Sequence, residues 1–165
     1  MTRTIRAEAL TAEAFAPFGE AIAAEGAADR IINRGWCERF HDRADLDFGG
    51  GRAGVSLFRA KPRALPYTLD LLERHPLGSQ TFIPMAMAPF LVIVAPDAAG
   101  RPGAPRAFLT EAGQAISYRR GVWHGVLTPL SEPGLFAVVD RIGPEPNLEE
   151  VALDPPWIVE AEPTG

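Results

Sequence analysis

The sequence predicts a mainly β fold, a small sandwich or barrel carrying a few short helices. From about residue 55 onward, short apolar runs follow one another: "VSLFRA", "QTFIPM", "FLVIVA", "RAFLT", "QAISY", "VWHGVLT", "LFAVVDR" and "WIVEA". Turn-setting residues separate them, among them Pro62, Gly78, Pro96, Gly100, Gly113, Gly121, Pro133 and Gly143. Many short strands broken by frequent turns bury their apolar faces in two packed sheets or in one sheet closed on itself.

The elements follow in order. "LTAEAFAPFGE" predicts a short helix, because Thr11 can cap its first turn and Phe15 and Phe18 lie three apart on one side. Pro17 and Gly19 end it early. In "VSLFRA", Val55 and Leu57 face opposite to Ser56 and Phe58, the alternation of a strand. "LPYTLDLLERH" predicts a second short helix, with Thr68, Leu69, Leu71 and Leu72 on one apolar face. In "QTFIPM", Phe82 and Ile83 belong to opposite faces of a strand that Pro84 ends, and Pro76 and Gly78 shape the turn leading into it. "PDAAGRPGAPR" reads as an exposed hairpin tip.

A chain of 165 residues with 47% hydrophobic content supports one core and one domain spanning residues 1–165. Sixteen basic against 21 acidic residues give a net charge of -5 with no basic cluster, which argues against a nucleic-acid partner. Lys61 is the sole lysine, so the positive charge is almost all arginine, the better fork for small carboxylates. Cys37 is the only cysteine and cannot form an internal disulfide. The longest apolar run, Met85 to Ala95, is interrupted by Pro89 and is about half the length of a membrane span. With no signal-peptide pattern at the start, the expectation is a cytoplasmic protein without a membrane partner.

Three histidines, His41, His75 and His124, each fall beside charged or polar residues at an element boundary. "WCERFHDRADLDFGGG" reads either as a solvated charged face or as a flap carrying Arg39 and His41 over a site, with Gly49 to Gly51 as hinge. His75 and His124 are more informative as a pair, because a barrel brings the ends of non-adjacent strands together at its mouth. Gly121 relaxes the turn before His124, and Trp123 offers an apolar wall on the other face of its strand.

The motifs around these two residues resemble those of metal-binding cupins, whose first motif is H-x-H-x(3,4)-E and whose second is P-x-G-x-x-H. "ERHPLGSQ" fits the first with Glu73 for its first His and Gln80 for its Glu, and "RRGVWH" fits the second with Arg119 for Pro. Together with "INRGWCERFHD", "SLFRAKP", "VWHGVL" and "VVDRIG", the run "ERHPLGSQTFIPM" closely resembles the ureidoglycolate lyase family, in order and over nearly the whole chain. The resemblance implies a cupin-type barrel, of the double-stranded β-helix or jelly-roll kind, and a homodimer. It also implies the cleavage of ureidoglycolate to glyoxylate and urea in allantoin and purine catabolism.

That reaction breaks a carbon–nitrogen bond at a carbon that also bears a hydroxyl. One base, one acid and an anchor for the carboxylate suffice. His75 or His124 is the expected base, with Glu73 sharing or relaying the proton. Gln80 suits the ureido group, having both a donor and an acceptor. Arg39, Arg119 and Arg141 are candidate forks for the carboxylate, and His41 and Trp123 complete the expected substrate contacts. Asp140 and Arg141 can also simply pair with each other near a strand end. Glu73, His75, Gln80 and His124 offer a donor set acceptable to a divalent Ni, Mn or Zn ion, with Ni suggested by the resemblance. The competing expectations are a metal-dependent cupin isomerase or dioxygenase, and a non-catalytic cupin that binds a small carboxylate.

Overall fold

A computed structural model describes residues 3–161. Its strands form two main sheets. The larger runs in the order Arg3–Arg6, Glu149–Glu160, Tyr67–Arg74, Trp123–His124, Phe90–Ala95, Arg106–Leu109 and Glu8–Ala9, with Thr128–Pro129 also paired to Phe90–Ala95. The smaller runs Gly19–Ile22, Ala115–Tyr118, Gln80–Pro84, Leu135–Ile142 and Arg52–Arg59. Few of these neighbours are consecutive in sequence, so the sheets are built from long-range pairings. The result is a mainly β, cupin-type barrel with few helices.

The strand Phe90–Ala95 is buried at every position, which is why "FLVIVA" reads as an unbroken apolar run. Its Phe90, Val92 and Val94 join Phe82, Ile116, Phe136 and Val138 of the smaller sheet in the core between the sheets. Its Leu91, Ile93 and Ala95 pack on the opposite face with Tyr67, Leu69, Leu72, Trp123 and Val159. Phe82 is buried and Ile83 is exposed, as the alternation of that strand requires.

The first helix forms over Ala12–Phe15, with the Thr11 side chain accepting from the Ala14 N–H as its cap. Phe15 and Phe18 are both buried, and Phe15 meets Phe108 edge-on at 5.8 Å. The hairpin tip also forms, pairing Asp97–Ala98 with Arg101–Pro102.

The second expected helix does not form. Residues Tyr67–Arg74 are a strand, paired on one side with Glu149–Glu160 and on the other with Trp123–His124. Leu71 and Leu72, which a helix would place on one flank, fall on opposite faces of that strand. Burial alternates over Tyr67–Asp70 and the alternation breaks at Leu71–Leu72, where Leu72 is the buried one, so the leucines of the strand imitate a helical stripe.

Candidate functional site

The strand exchanged for the expected helix is what builds the site. Glu73 lies near its end, and the antiparallel register sets His124 directly across from it. Side chains of such a pair share a face, so both enter the inter-sheet core, while Trp123 must point the other way. His75 lies just past the strand end, where the Gly121 N–H donates to its carbonyl at 2.9 Å. Gly121 has a φ of +76°, a conformation that glycine adopts without strain, and it turns the chain back toward His124.

Glu73, His75 and His124 therefore converge, with one potential ligand atom from each lying within 4.8 Å of the others. Glu73 Oε1 stands 3.9 Å from His75 Nε2 and 4.0 Å from His124 Nδ1, too far for hydrogen bonds. Each ring is instead held by a backbone carbonyl, His75 Nδ1 donating to Asn147 at 2.8 Å and His124 Nδ1 to Gly125 at 2.9 Å. A carbonyl only accepts, so each Nδ1 carries a proton. Both Nε2 atoms are buried without a partner among the described residues.

Burial pushes the His124 imidazole down to about 3, assisted by His75 and opposed by the Gly125 carbonyl. It is neutral at physiological pH. Burial raises the Glu73 carboxyl above its ordinary value, against the pull of His75 and with a push from Glu150. Tyr118, which no motif singled out, stacks flat on His124 with ring centroids 4.2 Å apart and planes 5° from parallel. Burial and the Glu73 charge keep its phenol protonated. The signal for Tyr118 was its place in "QAISY": its strand neighbour is Gln80, so the ring shares the inner face with that side chain.

Gln80 is buried. Its Nε2 donates to Asp140 Oδ2 at 3.2 Å, which leaves Oε1 without a partner. Asp140 and Arg141 do not pair with each other, because consecutive residues of a strand point to opposite faces. Arg141 donates to Glu145 Oε2 at 2.7 Å.

The remaining expected contacts stand elsewhere. Trp123 packs in the second core cluster, where its Nε1 donates to Asp97 Oδ1 at 3.0 Å and Arg74 lies 4.4 Å above its ring. Arg119 reaches outward to the Ala16 carbonyl at 2.8 Å and toward Glu20. Arg39 lies on a hairpin, Arg30–Ile32 paired with Cys37–Arg39, that joins neither main sheet, and His41 follows it, exposed. Gly51, expected as part of a hinge, instead makes a close approach: a Cβ there would come within 2.8 Å of the Arg141 side chain.

The donor chemistry fits a divalent metal. Glu73, His75 and His124 bring one carboxylate and two imidazoles together, and both imidazole Nε2 atoms lack a partner among the described residues, a set that Ni, Mn or Zn accepts.

Comparison with known proteins finds relatives over nearly the whole chain. The family model described as ureidoglycolate lyase matches residues 2–160. A ureidoglycolate lyase of Rhodobacter capsulatus is 59% identical over 154 residues, covering 93% of this chain and 96% of its own. Those of a Chelativorans species and of Burkholderia cepacia are 53% and 51% identical, covering 94% and 98% of this chain and 95% and 93% of theirs.

Proposed function

Because the chain belongs to the ureidoglycolate lyase family, we propose that it cleaves ureidoglycolate to glyoxylate and urea, as a carbon–nitrogen lyase of allantoin and purine catabolism. The observation that carries the assignment of its site is the convergence of Glu73, His75 and His124 at the barrel mouth.

The substrate is a carbinolamide. Its hydroxyl loses a proton, the carbon–oxygen double bond forms, the carbon–nitrogen pair leaves with nitrogen, and nitrogen takes up a proton. The net change is a proton moved from oxygen to nitrogen on the same carbon, so one acid–base group can serve both ends. Glu73 is assigned this role. Its raised pKa makes it a stronger base than an ordinary carboxylate and lets it return the proton to the departing nitrogen. His124, neutral and pushed down to about 3, is a poor proton donor and serves through its Nε2 lone pair. The unpartnered Gln80 Oε1 is placed to accept from an N–H of the ureido group.

A divalent metal would change these roles: Glu73, His75 and His124 would hold it, with Glu73 a ligand in place of its proton-moving role, and Ni is favoured by the resemblance. A metal there would polarise the substrate hydroxyl and lower its pKa. The homodimer is supported by apolar side chains exposed on the smaller sheet and just beyond it: Val55 at 75%, Leu57 at 65%, Ile83 and Met85. Leu57 and Ile83 are both strand partners of Ala137 and share one outward face, a patch of the kind that marks association. A cytoplasmic location rests on the lone thiol, which suits a reducing compartment.

The test is to incubate the purified protein with racemic ureidoglycolate. Stoichiometric glyoxylate and urea from one enantiomer are expected. Ammonia in place of urea would make it an amidohydrolase, and tight glyoxylate binding without turnover would make it a binding protein.

A further inference from the structure

The loop that carries His75 is gripped by a segment some 70 residues away in sequence. Asn147 holds it twice. Its backbone carbonyl accepts the His75 Nδ1–H at 2.8 Å, and its side-chain Oδ1 accepts the Leu77 backbone N–H at 2.7 Å. One residue thus fixes both the ring and the backbone two positions beyond it.

Asn147 is itself held. Arg141, whose side chain is 3% exposed, donates to Glu145 Oε2 at 2.7 Å and so closes the turn that presents Asn147. Close approach leaves that arginine little freedom. A Cβ on Gly143 would lie 2.4 Å from it, and one on Gly78, in the His75 loop, would lie 2.8 Å from it. The Arg141 side chain therefore touches both the loop and the turn that restrains it.

We propose that Asn147 is a positioning residue. It holds His75 as the Nδ1–H tautomer, with the bare Nε2 turned to Glu73 3.9 Å away, and the Arg141–Glu145 pair holds Asn147 in place. The use made of the aligned ring rests on the lyase reading above, but the alignment itself does not. Free imidazole prefers the Nε2–H tautomer, so the proposed state is one the fold must impose. Partners of this kind orient ligating histidines and raise their basicity.

Nitrogen NMR of the metal-free protein tests this directly, because only His41, His75 and His124 give imidazole signals. His75 and His124 are expected as Nδ1–H tautomers, and exposed His41 as a free side chain. Asn147→Ala keeps the backbone carbonyl but removes the Oδ1 that ties the loop at Leu77, and this loosening is expected to move the His75 signals toward the free pattern while those of His124 stay in place. Asn147→Asp keeps an acceptor oxygen for the Leu77 N–H and is expected to restore the His75 pattern. Glu145→Gln, at an exposed side chain, is expected to produce a smaller shift in the same direction. Titration of the metal-free Asn147→Ala protein with Ni²⁺ is expected to show affinity about 10- to 100-fold below the wild type.

An Nε2–H tautomer at His75 in the wild type overturns the proposal, even if the variants do not fold. Unchanged His75 signals and unchanged Ni²⁺ affinity in Asn147→Ala overturn it as well. The lyase reading fails separately: the expected tautomers without ureidoglycolate turnover would sink that reading and leave the positioning role intact. Turnover with no effect of Asn147 would do the reverse.

Discussion

Two stretches of this chain look alike in composition and end in different circumstances. "INRGWCERFHD" and "ERHPLGSQTFIPM" each place a histidine among charges, arginine and turn residues. In the first, among the described residues, Arg30–Ile32 pairs only with Cys37–Arg39, Trp36 is 92% exposed, and the His41 backbone N–H is tied to Asp29 within the same excursion. In the second, Glu73 is paired across to His124, Gln80 is paired to both Tyr118 and Asp140, and the intervening loop is held by Asn147. A histidine among charges becomes a site when strand register brings distant groups to it. Residue type alone does not do this.

The sharpest way to break that contrast is at the register partner. His124→Ala removes the imidazole set across from Glu73 on the strand Trp123–His124 and with it the acid–base geometry of the lip, so turnover of ureidoglycolate is expected to fall at least about a hundredfold. The measurement is steady-state glyoxylate release by variant protein whose circular dichroism matches the wild type. A near-normal rate would mean that the convergence at the lip has no part in the chemistry.

Tyr118→Phe comes next. It preserves the ring that lies 4.2 Å from His124 and deletes only the hydroxyl. If the ring acts by fixing His124 in place, turnover should drop by less than about tenfold, since general-acid losses run to a hundredfold or more. A hundredfold loss with the stack intact would instead make the phenol a proton donor and extend the catalytic lip to a third strand.

Much of this was legible in the sequence, and the unread parts share a cause. The barrel class, the Thr11 cap, the strand ending at Pro84 and the hairpin after Pro96 are local, set by residues within a few positions. The pair His75 and His124 was legible because each half carries its own short motif. The strand Tyr67–Arg74 was mistaken for a helix because Leu69, Leu71 and Leu72 imitate a helical stripe, while its strand form is set by distant partners along its two edges, Glu149–Glu160 and Trp123–His124. Asn147 left no signal, since its chief contact with His75 is made by a backbone carbonyl that any residue possesses. The Arg141–Glu145 pair was missed because it depends on how a turn folds back over the strand end.

The same lip should cost stability in a pH-dependent way in the metal-free protein. Glu73 has a folded pKa raised above its ordinary value of 4.5. Its contribution to stability is therefore fully present below about 4.5 and is lost as pH rises through the raised folded value. Gln cannot ionise, so Glu73→Gln is expected to raise the melting temperature at pH 7 by a few degrees, and the gain should vanish near pH 4. His124 works with the opposite sign. Its folded pKa, down at about 3, lies below the ordinary 6.5, so its contribution is present above 6.5 and is lost as pH falls toward 3. Thermal melts of Glu73→Gln at pH 4 and 7 check the first statement. Melts of the wild type between pH 7 and 4 check the second. A variant less stable than the wild type at pH 7 would mean that Glu73 is satisfied by some group beyond those beside it.

The smallest effects belong to the hairpin, and they decide whether the contrast survives in the assembled protein. His41 and Arg39 are exposed, and among the described residues no hydrogen bond or ion pair joins their side chains to Glu73, His75, Gln80 or His124. Substitution of such residues typically changes stability by no more than about 0.5 kcal/mol, and a comparable change in transition-state binding is about a twofold change in rate. His41→Ala and Arg39→Ala are therefore expected to keep kcat/KM for ureidoglycolate within about twofold of the wild type. If either loses tenfold or more while the metal-free protein keeps its His75 and His124 tautomers, the hairpin must be reaching a site that it does not touch within one chain. The one place left for that contact is a second copy. Mixing His41→Ala with His124→Ala protein would then restore activity, because each mixed dimer would hold one barrel with both residues intact.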